Sequence, residues 1–294
     1  MTGLVEFGDP YYYVVRQMVW AAGGAVLMFG MARTDYRRLR PLAVPIMTVT
    51  IALLVAVLVI GISGGGARRW IGVGELTIQP AEFAKLSVII YLAAWLASKG
   101  DSVRSFEHGL LPFVAIIGSV SVLIMLQPNL GTTLIILVIT VTMFYVAGAS
   151  IAQMTALAVT GFASLAFLAT AADTAPTRLG LIATLAFLGL YMLLMIRGFQ
   201  VARRARDDFG QLIATGITTW ITVQALLNIG GITRTIPLTG VPLPFFSFGS
   251  NALASVLLAI GVLLSISRFG TDRGGYFEKH PVDTRRVVRR RPDA

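Results

Sequence analysis

The sequence predicts an all-α integral membrane protein, a polytopic helical bundle of about nine transmembrane helices. Three observations lead there. Of 294 residues, 56% are apolar and only 13% are charged, with a mean hydropathy of +0.79. That charged share is about half that of an ordinary soluble domain. The apolar residues are gathered in blocks long enough to cross roughly 30 Å of hydrocarbon as helices of about 17–25 residues. The blocks also lack the period-two alternation of barrel strands: Ile51 to Ile60 is an unbroken apolar run.

In chain order the spans are read at 14–32, 43–62, 80–98, 110–127, 131–148, 151–171, 179–197, 210–230 and 249–267. The first two are separated by Arg33, Arg37, Arg38 and Arg40. The third opens on Pro80, which suits a first helical turn, and is followed by Lys99 and Arg104. Pro128-Asn129 makes a tight re-entry between the fourth and fifth. Ala171–Arg178 is a short connection ahead of the seventh, and Arg197, Arg203, Arg204 and Arg206 cluster after it. The ninth follows a proline-rich stretch and leads into a basic tail. Residues 1–268 thus read as one transmembrane domain, and 269–294 as a basic cytoplasmic tail expected to be disordered.

Charge sets the expected orientation. The loops just named, together with the eight basic residues from Arg268 onward, hold 18 of the 24 lysines and arginines. Basic residues accumulate on the cytoplasmic side, so the N-terminus is expected outside and the C-terminus inside. Of the 24 basic residues behind the net charge of +10, eight lie from Arg268 onward, where they read as a topology signal or an anionic-lipid contact. Nucleic acid is not an expected partner. There is no cysteine, so neither a disulfide framework nor a thiolate metal site is available. The two histidines, His108 and His280, lie in polar segments, and no metal site is read from them. Met1–Gln17 has no basic n-region and does not read as a cleavable signal.

Three segments on the opposite face depart from simple connections. The first runs from Gly64-Gly65-Gly66 through Arg68-Arg69-Trp70 to Gln79-Pro80-Ala81-Glu82-Phe83-Ala84-Lys85. Paired guanidinium groups suit phosphate, and tryptophan suits the bilayer interface. Glu82 and Lys85 share a helix face and can pair. The loop therefore reads either as an interfacial anchor or as a site for an anionic headgroup. An ionisable pair inside a span favours function, because each unpaired charge there costs about 2.5–3.5 kcal/mol on insertion scales. The second segment is Gln127-Pro128-Asn129-Leu130-Gly131-Thr132. The third holds Asn228 and then Ile236-Pro237 through Pro242-Leu243-Pro244 to Ser247-Phe248-Gly249. Its prolines exclude a regular helix, and irregular backbone at membrane depth must be buried in protein or line a wet cavity.

Taken in order, Gly66-Ala67-Arg68-Arg69-Trp70-Ile71, Gln79–Lys85, Gln127–Thr132 and Pro237–Gly249 resemble the FtsW, RodA and SpoVE family of bacterial cell-division and cell-shape proteins. Gly8-Asp9-Pro10-Tyr11-Tyr12, Asp35-Tyr36-Arg37-Arg38-Leu39 and Asp208-Phe209-Gly210 extend the resemblance to about residues 7–268. The resemblance implies polymerisation of lipid II into glycan strands in the bacterial cytoplasmic membrane, alongside a class B penicillin-binding transpeptidase and other division or elongation proteins. It implies Arg68, Arg69, Trp70, Glu82, Lys85, Gln127, Asn129, Pro242 and Ser247 as substrate-binding residues. No stably bound cofactor is expected, and a divalent cation is compatible with a pyrophosphate leaving group.

The sequence also departs from that pattern. Family members ordinarily have ten spans, with Gly-Asp-Pro-Tyr-Tyr after the first, so one span is expected to be absent here. The long outer loop that carries the family's catalytic aspartate is replaced by Ala171–Arg178, where Asp173 does not match the motif and is at most a weak catalytic candidate. The usual aspartate of Gln-Pro-Asp-Leu-Gly is Asn129. Three functions therefore stay open: an active lipid II glycosyltransferase, a catalytically defective or fragmentary homologue that binds lipid precursor or a division partner, and a lipid II flippase or other transporter. Gln224 and Asn228 are the modest polar candidates for a transport path.

Overall fold

The computed structural model describes residues 12–64, 67–73, 76–150, 181–232, 240–245 and 250–269. Within them are eight α-helices: α1 (Tyr12–Arg33), α2 (Leu39–Ile60), α3 (Pro80–Lys99), α4 (Leu111–Met125), α5 (Leu130–Val146), α6 (Leu181–Arg204), α7 (Asp208–Ile232) and α8 (Ser250–Phe269). They match eight of the expected spans to within a few residues at most ends. The expected span at 151–171 lies outside the described residues, as do Asp173, Ser247 and the tail from 270. The clearest boundary difference is α6, which continues past the expected end at Arg197 to Arg204. Five helical stretches have the length and apolarity to cross a bilayer, namely Tyr36–Ile60, Pro80–Arg104, Phe106–Met125, Asp208–Gly231 and Asn251–Phe269; Leu130–Val146 is a shorter apolar helix.

Between α2 and α3 the glycine-rich segment is not an irregular loop. It forms an antiparallel sheet in the order β1 (Ile62–Gly64), β2 (Ala67–Val73), β3 (Leu76–Ile78). Ile71 pairs with Ile78 and Gly72 with Thr77, while a register shift next to Ile62 bends the other edge. Two of these strands have three residues each, too short for alternation to announce them. Residues 65–66 and 74–75 lie outside the described residues.

α3 and α7 form the centre of the bundle. Ile89 and Leu92 from α3 and Ile217, Trp220 and Ile221 from α7 are fully buried, with Ile135 and Ile136 of α5 beside them. α1, α2 and α4 instead expose Met18, Val26, Val44, Val59 and Val122. In a bilayer such side chains are solvated by acyl chains, so burial of apolar area does little to drive helices together, and close packing must do so. α1 and α8 meet in this way. A Cβ on Gly261 would stand 2.6 Å from the Met28 carbonyl oxygen, and one on Gly24 would stand 3.1 Å from the Ala254 Cα.

Candidate functional site

The polar residues at the sheet end of the bundle are set by helix starts. α3 begins on Pro80, with Glu82 in its first turn, where a carboxylate complements the helix dipole. Three residues on, Lys85 donates to Glu82 Oε2 at 2.8 Å. Lys85 is fully buried and Glu82 is 3% exposed. Lys85 also donates to Gln224 Oε1 at 3.0 Å, and its Nζ lies 4.9 Å from the Trp220 ring centroid. The expected pair therefore forms, and it lies inside the bundle. α7 supplies a third member that lets both charges stay in a poorly solvated place.

Gln224 ties this network to the proline-rich segment. Its Nε2 donates to the Pro242 carbonyl at 2.9 Å, and Asn228 Nδ2 donates to the Val241 carbonyl at 2.8 Å. The two residues read as transport candidates are thus the pins that hold irregular backbone at the bundle's end. Each pairs a backbone carbonyl that no helix satisfies.

The Pro128-Asn129 turn is an N-cap. Asn129 Oδ1 accepts from the Thr132 N–H at 3.3 Å at the start of α5. That bond fixes the amide's orientation, so Nδ2 is the remaining group. It is buried and has no partner among the described residues. An aspartate here would cap equally well, but its second oxygen would accept where Asn129 donates. Arg69, on β2, reaches the same turn, with Nε donating to the Gln127 carbonyl at 3.0 Å and a terminal nitrogen donating to the Pro128 carbonyl. The guanidinium has five N–H groups, so it can hold the turn and still present donors elsewhere. Gln127 Nε2 donates to the Leu54 carbonyl at 3.1 Å, which leaves Gln127 Oε1 without a partner among the described residues.

These elements enclose a cavity of about 340 Å³ lined by Arg69, Trp70, Gln79, Glu82, Asn129, Thr132, Gly240, Val241, Pro242 and Ala252. Five of the sequence-derived candidates meet in its wall: Arg69, Trp70, Glu82, Asn129 and Pro242. Lys85 and Gln127 sit behind it, each touching a lining residue or its bonded neighbour. Arg68 is exposed and outside the lining, while Ser247 lies outside the described residues. Gln79 and Thr132 were not singled out in the sequence, although both fall within quoted motifs. Among the described residues no cluster of three or more His, Cys, Asp or Glu side chains is placed to hold a metal. Glu82, the one carboxylate in the cavity wall among the described residues, is engaged by Lys85.

A second polar cluster closes the opposite end of the bundle. Asp207 accepts from the Tyr36 hydroxyl at 2.8 Å, from Arg37 Nε at 2.9 Å and from the Gly210 N–H at 2.7 Å. The Tyr36 N–H donates to Ser265 Oγ at 3.0 Å. The clamp joins the α1–α2 junction, the α6–α7 junction and α8. Burial pushes the Asp207 carboxyl pKa up, but the bonds from Gly210, Arg37 and Tyr36 outweigh it and hold the value below the usual one. Sequence reasoning quoted Asp208 and missed its neighbour. Asp207 immediately precedes α7 and Asp208 opens it, and only the tertiary approach of Tyr36 distinguishes them.

Fold and site together define a polytopic helical membrane protein with a polar cavity walled by a small sheet, three helices and a proline-rich strap. The chain matches the family described as "Cell cycle protein", FtsW/RodA/SpoVE, over residues 1–178 and 175–272. It is 31% identical to stage V sporulation protein E of Bacillus subtilis, across 90% of this chain and 89% of that protein. It is 28% identical to a probable peptidoglycan glycosyltransferase FtsW of Geobacter metallireducens, across 89% and 86%. The crystal structure of the rod shape determining protein RodA of Thermus thermophilus superposes with a TM-score of 0.77 at 28% identity, covering 90% of each chain. A chain from a peptidoglycan synthase complex superposes equally well, at 27% identity. The protein belongs to the FtsW/RodA/SpoVE family.

Proposed function

We propose that the protein is a peptidoglycan glycosyltransferase that extends glycan strands from lipid II at the membrane surface, and that the sheet-end cavity holds the substrate. One observation carries this reading: the cavity gathers Arg69, Trp70, Glu82, Asn129 and Pro242 from segments spread over most of the chain. Glycosyl transfer from a lipid pyrophosphate needs positive charge for the departing pyrophosphate and a base for the incoming hydroxyl. Arg69 supplies charge in the wall, with Arg68 exposed on the same strand. Asn129 Nδ2 offers an N–H donor that no described residue uses. For the base, the connection at 171–178 offers one carboxylate, Asp173, which does not match the family motif. A divalent cation would arrive with the substrate's own pyrophosphate, since the wall offers no free carboxylate among the described residues.

The orientation follows from charge. With 18 of 24 basic residues on the far side, the cavity faces outward, where strands are built, and both the Asp207 clamp and the C-terminus face the cytoplasm. A class B penicillin-binding transpeptidase is the fitting partner, because a structural neighbour comes from a complex that couples polymerization and crosslinking.

The test is capture of a fluorescent lipid pyrophosphate by the detergent-solubilised full chain. Arg69→Ala should weaken capture roughly tenfold, equivalent to about 1.4 kcal/mol. Unchanged capture by a correctly folded variant would make Arg69 a structural brace for the Gln127–Pro128 turn and nothing more.

A further inference from the structure

A second cavity, of about 360 Å³, lies at the opposite end of the bundle between α6 and α8. We propose that this groove is a binding site for an anionic phospholipid, with the lipid phosphodiester on Arg197 and Arg204 and an acyl chain along the apolar floor. Leu194, Arg197, Val201 and Arg204 follow one another at helical spacing and line the groove from α6, and Leu263 and Leu264 face them from α8. The two arginines are seven residues apart, roughly 10 Å along the helix axis. Both are exposed, and neither has a hydrogen bond or ion pair among the described residues. Among the described residues no carboxylate lines the groove.

The position of the charges selects the occupant. The apolar run of α6 ends at Arg197, and the helix continues for about two turns to Arg203 and Arg204. The last turn of α8 carries Arg268. The groove therefore begins among apolar side chains and finishes among basic ones, the gradient that a phospholipid presents in reverse. Basic grooves between transmembrane helices on the cytoplasmic side recognise anionic headgroups in this manner. A soluble phosphate would satisfy the guanidinium groups but leave the floor unused. A zwitterionic lipid would fill the floor while its own cation competed with the arginines for the phosphate.

Native mass spectrometry of the full chain in mild detergent tests the site, with dioleoyl phosphatidylglycerol and dioleoyl phosphatidylcholine as probes. The wild type should retain one phosphatidylglycerol about tenfold more tightly than phosphatidylcholine. The double variant Arg197→Gln/Arg204→Gln should lose that preference. Leu264→Trp keeps the charges, fills the groove at an exposed and fold-tolerant position, and should weaken phosphatidylglycerol to a similar degree. Arg203→Gln, outside the lining, should change retention by less than twofold, and glycerol phosphate in excess should not displace the lipid. Equal retention of the two lipids, an unaltered double variant, an equal loss in Arg203→Gln or displacement by glycerol phosphate would each overturn the proposal.

Discussion

At the scale of single residues, the buried Lys85 ammonium explains much of the cavity's construction. A lone charge inside a bundle is costly, and Glu82, Gln224 and the Trp220 ring together answer it. Gln224 then carries the arrangement outward to the Pro242 carbonyl, so charge balance in the core and placement of the strap share one amide. Glu82→Ala removes the counter-charge and leaves the ammonium buried. Breaking a buried pair in this way destabilises by about 3–5 kcal/mol, so a large drop in the detergent unfolding midpoint is expected. Lys85→Met with Glu82→Gln should recover most of it, because no charge is then left unpaired. Equal stability of Glu82→Ala and the parent would mean that Lys85 is neutral or solvated. The pair itself was legible in the sequence as two ionisable residues three apart in an apolar run. Gln224 as its third member was not, because a contact across 139 residues leaves no local trace.

At the scale of elements, the helices were legible because apolar runs of membrane length have few alternative explanations. α6 overran its expected end because hydropathy stops at Arg197 while the backbone does not: Gln200, Arg203 and Arg204 are good helix formers beyond the apolar block. The sheet between α2 and α3 was hidden by its glycines and by strands of three residues. The Asp207 clamp was half legible. Tyr36 and Arg37 stood in a quoted motif, but their target did not, since it depends on how α7 packs against the α1–α2 junction. The clamp makes stability depend on pH in a defined direction. Because the folded-state pKa of Asp207 is depressed, its contribution is fully present above the unfolded value of about 3.9 and is lost as pH falls through the lower folded value. Asp207→Asn should lower stability at pH 7 by about 1–2 kcal/mol, allowing for the partial exposure of the carboxylate. The gap between parent and variant should hold down to about pH 5 and narrow below about pH 4. A gap that widens on acidification would contradict the assignment.

At the scale of the whole molecule, the two ends of the bundle differ in kind. One carries a cavity whose wall is drawn from β2, α3, α5, α8 and the strap, and the other carries the carboxylate clamp and the arginine-rich groove. From the charge distribution we propose that the cavity end faces outward and the clamp end faces the cytoplasm. A reporter fused after Ala294 should therefore read cytoplasmic, and one inserted near Asp173 should read external. The reverse pattern would put the cavity on the wrong face for strand synthesis. The family motifs that line the cavity were readable in order along the chain, yet the sequence could not say which of them meet. Asn129 and Pro242 come together only through the α3–α5–α7 packing, and Arg68 parts from Arg69 although they are adjacent. The most direct measurement is strand synthesis itself. The purified full chain, together with a class B penicillin-binding transpeptidase, is incubated with labelled lipid II and a divalent cation, and the products are resolved by gel. The proposed function predicts a ladder of glycan strands, reduced about 10²-fold or more by Asp173→Ala if that carboxylate is the base. Absence of any ladder from a chain that still captures lipid II would contradict it, and would leave a protein that binds the precursor without polymerising it.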